Sequence, residues 1–207
     1  DALEHTSHSY DGHMFDSDMR RVEFPKDRFR ADCLTDYALD YLRTRSLEKP
    51  FFLFVSYLEP HQQNDRGVFE GPRGSKERFA EFPVPGDLEG QNGDWREQFP
   101  DYLGCVSSLD ENVGRIRAAL KERRLADNTL IFYTSDHGCH FRTRNGEYKR
   151  SCHDGCLRIP AIACGPGFRG GKAVSELVSL IDIAPTVVSA GGVTPPETMR
   201  GRPLQQL

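Results

Sequence analysis

The sequence predicts an α/β domain, a mostly parallel sheet flanked by helices. Three observations lead there. Two segments repeat apolar residues at helical spacing. Three short runs are apolar or β-rich and end in Gly, Pro or polar clusters. The two kinds follow one another as helix, strand, helix, strand, strand, helix, the order of strands joined by crossovers.

Residues 1–27 are polar, rich in His and Asp and without periodicity, so a loop is expected there. His5, His8 and His13 lie in it, and Asp1 and His5 have the D-x3-H spacing of some two-metal phosphoesterases. A solvated loop accounts for them better. One α/β domain is expected over 28–207. In RFRADCLTDYALDYLRTRS (28–46), Phe29, Cys33, Tyr37, Ala38, Tyr41 and Leu42 fall on one helical stripe. FFLFVSYLE (51–59) is continuously apolar and aromatic, the pattern of a strand buried on both faces of a parallel sheet. The Gly- and Pro-dense stretch after it reads as one long loop, functional or disordered.

Residues 101–124 return to helical period through Leu103, Val106, Leu109, Val113, Ile116 and Leu120. DNTLIFYTS is the next strand, with Asp127-Asn128 as its turn, and IPAIACGPG is a short strand closed by Gly and Pro. ELVSLIDIAPTVVSAGG reads as a strand edge, then a helix starting near Pro185 and stopping at Gly191-Gly192.

Composition excludes some classes. At 207 residues with a net charge of −4, the chain has no basic field of the kind nucleic-acid binders use. No apolar run is long enough to span a bilayer. DALEHTSHSYDGH lacks the parts of a signal peptide. The six cysteines form no C-x-x-C pair and are too sparse for a disulfide scaffold. Cys152 and Cys156 flank His153-Asp154, which suggests zinc, but ordinary thiols fit the spacing better.

Ligands of open α/β sheets bind beyond the carboxyl ends of strands. Two strands here end in polar clusters, one in Glu59-Pro60-His61 and the other in Asp136-His137-Gly138. Gly138 permits the turn that lets Asp136 and His137 address one metal, or one of them a metal and the other a substrate; a simple strand-to-loop turn is the alternative. Lys149 could neutralise an oxyanion, or be a solvated surface lysine. His61 could donate a proton or hydrogen bond to a leaving oxygen. Asp154 is expected to pair with Arg158. Arg66, Arg73, Lys76 and Arg78 in the long loop could meet an anionic sugar or simply be solvated.

Taken together, FFLFVSYLEPH, SLDENVGRI, DNTLIFYTSDHG, GEYKRSCHDGCLRIPAIACGPGF and VSLIDIAPTVVSAGG resemble, in order and spacing, the sulfatase family of the alkaline-phosphatase superfamily. The likeness runs from about Phe24 to the C-terminus. It implies an alkaline-phosphatase-like fold, incomplete at its N-terminus, and the later part of a sulfuric ester hydrolase acting on a sulfated carbohydrate. It implies that Asp136 and His137 are metal ligands, with Ca²⁺ the expected ion. It implies that Lys149 contacts the sulfate group and that His61 lies near the leaving-group oxygen. His153 stands where many members place an aromatic or His, and Asp154 where Glu is commoner; His153 and Arg66 are candidate substrate contacts. The family's early C/S-x-P-S-R motif, source of the formylglycine nucleophile, and its early Asp-Asp pair do not occur in this sequence. The chain alone is therefore expected to be inactive and to need the rest of a sulfatase domain as partner. A periplasmic or secreted location is implied. A phosphoesterase or phosphonate hydrolase of the same superfamily, or a non-catalytic remnant, remains the alternative.

Overall fold

The computed structural model describes residues 8–63, 65–168 and 170–207. Asp1 and His5 lie outside the described residues. The chain divides into two compact units. The first holds the described residues up to Arg123 together with His140–Lys149; the second holds Arg124–Cys139 and Arg150–Leu207.

The first unit is built on two packed helices, α1 (Arg30–Thr44) and α3 (Trp95–Glu122). The short helix α2 (Ser75–Phe79) also packs on α3. Phe29, Ala31, Cys105 and Leu109 form an apolar core in this unit, with Tyr57 against it. Cys33, Ala38, Leu39 and Leu42 complete the buried face of α1. Tyr37 and Tyr41, expected on that stripe, are 50% and 39% exposed, so the buried face is rotated toward Leu39. Polar links add to the apolar contact: Asp36 of α1 pairs with Arg115 of α3 and with Arg28 at 2.6 Å. Helix α3 starts six residues before the expected 101, because Trp95, Gln98 and Phe99 are buried and carry the helical face upstream through Pro100.

Two expectations fail here. Residues 13–23 are not all loop: β1 (His13–Phe15) and β2 (Arg21–Glu23) pair antiparallel, with Met14 opposite Val22. Met14 packs with Phe24 and Cys33, and this apolar anchor was hidden among polar neighbours. The apolar run 51–59 is not a strand buried on both faces. It forms no ladder among the described residues, and Phe52 and Phe54 are 68% and 76% exposed. The long loop after it is only partly irregular, since Phe69 and Leu88 are buried at 2% and 3% exposure.

In the second unit, β3 (Ile131–Thr134) and β4 (Ala161–Cys164) pair antiparallel, Phe132 opposite Ala163. The two described sheets are each two-stranded and antiparallel, so the mostly parallel sheet is not found among the described residues. A run such as 51–59 becomes part of a parallel sheet only with neighbours on its edges, and none of the described segments supplies them. Helix α4 (Asp154–Leu157) is one turn long. Helix α5 (Ile183–Ala190) ends at Gly191 as expected. Its lead-in is not a strand edge but a tight turn, where the side chains of Ser179 and Asp182 each hold the other's backbone.

Candidate active site

Each unit carries one of the two polar clusters. In the first, the 51–59 run ends at a turn where the His61 amide donates to Leu58 O at 2.8 Å. Glu59 is anchored beneath it by Arg30 of α1, at 2.9 Å, with side chains 1% and 0% exposed. The segment His140–Lys149 folds back against the same unit. The His140 amide donates to Tyr148 O at 2.8 Å, and the Asp94 amide to Phe141 O at 3.0 Å. Arg142 reaches Asp94 at 2.8 Å and Gln62 Oε1 at 3.2 Å. Phe141 and Arg142 adopt φ of 49° and 57°, a left-handed backbone that non-glycine residues seldom use. An aromatic cluster of Phe69, Phe99, Tyr102, Phe141 and Tyr148 holds the fold-back in place; Phe69 meets Phe141 at 5.4 Å and Tyr148 at 5.8 Å.

This framework joins His61 and Lys149, 88 residues apart, with Lys149 Nζ 3.4 Å from His61 Nε2. Tyr148 Oη lies 2.6 Å from the same nitrogen. The other ring nitrogen, Nδ1, is 2.6 Å from the Gln62 carbonyl, which can only accept. Nδ1 therefore carries the proton, and Nε2 accepts from Tyr148 and Lys149.

In the second unit, Asp136 and His137 follow β3. Asp136 Oδ1 accepts the His137 amide at 2.9 Å, and its side chain is 80% exposed. His137 Nδ1 lies 2.8 Å from Gly138 O, which makes Nε2 the lone-pair atom, 3.5 Å from Asp136 Oδ2. An oxygen and a nitrogen donor at that separation can share one divalent ion. They form only part of a shell, since Ca²⁺ takes about 6–8 oxygen ligands. No cluster of three or more ligand-type side chains occurs among the described residues. Gly138 is required at this turn: a Cβ there would stand 2.0 Å from Gly155 O, and its amide donates to Cys156 O at 2.8 Å.

His153 and Asp154 are exposed at the start of α4. Asp154 receives the Arg158 amide on its backbone oxygen at 2.9 Å; no side-chain ion pair joins the two among the described residues. Arg66 is bound by Glu70 and lies 2.8 Å from His8. Arg73, Lys76 and Arg78 pair with Asp27, Asp101 and Glu111. His13 is buried in β1. Cys152 is exposed, Cys156 buried, and both are free thiols. Sequence reading missed Tyr148, Gln62, Arg142 and Asp94. An aromatic directly before Lys149 was the one available signal.

The family model described as Sulfatase matches residues 9–193. An arylsulfatase of Clostridium perfringens is 28% identical over 82% of this chain, and the match covers 40% of that protein. An extracellular sulfatase SULF-1 homolog of Drosophila melanogaster is 38% identical over 51% of this chain, covering 10% of that protein. The chain thus spans less than half the length of these relatives. A solved structure of a protein in complex with its substrate D-glucosamine-2-N,6-O-disulfate superposes on 96% of this chain and 55% of its own, with a TM-score of 0.79 at 22% identity. The fold of the chain is that of alkaline-phosphatase-like sulfatases.

Proposed function

Because this chain belongs to the sulfatase family, we propose that the protein containing it hydrolyses sulfate esters, with a sulfated carbohydrate as substrate. One observation carries the reading: Lys149 and His61, the two residues expected at the sulfate and the leaving oxygen, lie 3.4 Å apart. The ammonium of Lys149 offsets the charge that grows on the sulfate oxygens as the ester bond breaks. The imidazole of His61, its Nδ1–H held by the Gln62 carbonyl, would reach the leaving oxygen through Nε2 and pass on a proton that Lys149 donates there. Asp136 and His137 contribute two donors to a divalent cation, proposed as Ca²⁺. That cation and a formylglycine supplied by the rest of the sulfatase domain would provide the charge neutralisation and the nucleophile. Arg66 and His153, both exposed, are proposed to meet the sugar.

The glucosamine disulfate bound by the similar solved structure supports a sulfated sugar as substrate. The extracellular relative supports a secreted or periplasmic setting. No helix among the described residues is long and apolar enough to cross a membrane.

The test is hydrolysis of a sulfated chromogen by the intact protein. Lys149→Ala is expected to lower kcat/KM about a hundredfold, roughly 3 kcal/mol of transition-state stabilisation. An unchanged rate removes Lys149 from the site. Faster cleavage of the matching phosphate or phosphonate ester replaces the substrate class.

A further inference from the structure

We propose that Tyr148 is a positioning residue for His61, presenting Nε2 as an acceptor toward Lys149. The proposal rests on the reading of His61 and Lys149 as the acting pair. Gln62, Tyr148 and Lys149 bear on the imidazole nitrogens. The Gln62 carbonyl accepts a hydrogen bond from Nδ1 at 2.6 Å, but it is the next residue and moves with the ring. Lys149 approaches Nε2 at 3.4 Å on a long flexible stem. Tyr148 is different. Its hydroxyl meets Nε2 at 2.6 Å, and its ring is buried at 7% exposure.

That ring has little freedom. It stands edge-on to Phe69, with centroids 5.8 Å apart, and edge-on to His61 at 5.5 Å. Phe69 in turn packs on Tyr102 and Phe141. The Tyr148 carbonyl is fixed by the His140 amide at 2.8 Å. A hydroxyl on so constrained a ring gives the imidazole a reference point outside its own turn. Lys149 Nζ also lies 5.2 Å from the Tyr148 ring centroid, so one side chain steadies both partners. An ammonium can only donate, and Tyr148 donates to the same lone pair. The convergence therefore selects the imidazole form whose proton sits on Nδ1.

A double-mutant cycle in the intact protein tests this. Tyr148→Phe keeps the ring and removes the hydroxyl. It is expected to lower kcat on a sulfated chromogen about tenfold with little change in KM, the scale of one lost hydrogen bond. In a His61→Ala background the same change is expected to cost less than about twofold, because the residue through which Tyr148 acts is gone. Nitrogen-15 spectra of histidine-labelled protein give a readout without activity. The His61 Nε2 resonance should be that of an unprotonated, hydrogen-bonded nitrogen, and should move toward the unbonded position in Tyr148→Phe. Equal losses in both backgrounds, or an Nε2 resonance unmoved by the substitution, would overturn the proposal. A Lys149→Ala variant of full activity would overturn the catalytic reading and this proposal together; loss at Lys149 with no effect at Tyr148 overturns this proposal alone.

Discussion

The ion pair between Arg30 and Glu59 should be worth more than any other charge contact in the first unit. Its side chains are 0% and 1% exposed, and Arg30 Nε lies 2.9 Å from Glu59 Oε1. At that separation an effective dielectric near 20 gives an attraction of about 6 kcal/mol before desolvation is subtracted. Glu59 Oε2 has no hydrogen-bond partner among the described residues. Removing the guanidinium thus leaves a buried carboxylate without its cation. Arg30→Met and Glu59→Leu are each expected to destabilise by about 3–5 kcal/mol. With a urea m-value near 2 kcal/mol/M, the unfolding midpoint falls by roughly 1.5–2.5 M. The double variant exchanges both charges for apolar atoms and should cost much less than the sum of the singles, because neither charge is stranded. Urea titration followed by circular dichroism reads all four proteins. A single substitution costing under about 1 kcal/mol, or a double variant equal to the sum, would refute the claim that these charges depend on each other.

Other consequences follow from local geometry. Gly138→Ala should lower stability by at least about 1–3 kcal/mol, because a Cβ would meet the Gly155 carbonyl at 2.0 Å and backbone must move. Gly114→Ala, in α3 with open space around it, should instead stabilise by about 0.4–1 kcal/mol; thermal unfolding compares the two, and a Gly138→Ala protein as stable as the parent would refute the packing argument. Alkylation at pH 8, followed by mass spectrometry, should label exposed Cys152 and Cys164 first. Burial pushes the Cys33 thiol up to about 11 and Cys105 well above its ordinary value, so these should react last; labelling of Cys105 as fast as Cys152 would contradict their burial.

The parts of the fold that were legible in the sequence are those set by local periodicity. The cores of α1 and α3, the β3 and β4 runs, and the Gly191 stop of α5 all follow from spacing along one segment. What failed depended on neighbours. The 51–59 run has the composition of a buried strand, yet a strand exists only where another backbone pairs with it. The β1–β2 hairpin was overlooked because three-residue strands are too short to show a period. His61 and Lys149, 88 residues apart, were expected at one sulfate ester only through the family resemblance, since residue order alone carries no distance. Tyr148 was missed, its bond to His61 spanning 87 residues and its place before Lys149 giving only a weak signal.

The polar pair is held in place chiefly by apolar packing. The direct bonds onto His61 Nε2 are each worth about 1 kcal/mol net, too little to hold two distant segments together. The rings of Phe69, Phe99, Tyr102, Phe141 and Tyr148 bury far more surface, and edge-on aromatic pairs add about 0.5–1.5 kcal/mol each beyond that burial. Packing fixes where the backbone of 140–149 runs, and the hydrogen bonds then choose the orientation of one imidazole. The division has a chemical reason. A residue that must exchange a proton cannot also be the strut that holds its loop, since its bonds change whenever its charge does. Arg30 with Glu59 and the aromatic cluster carry that structural duty, leaving the bonds at Nε2 weak enough to break when Nε2 takes up a proton and turns to a substrate oxygen.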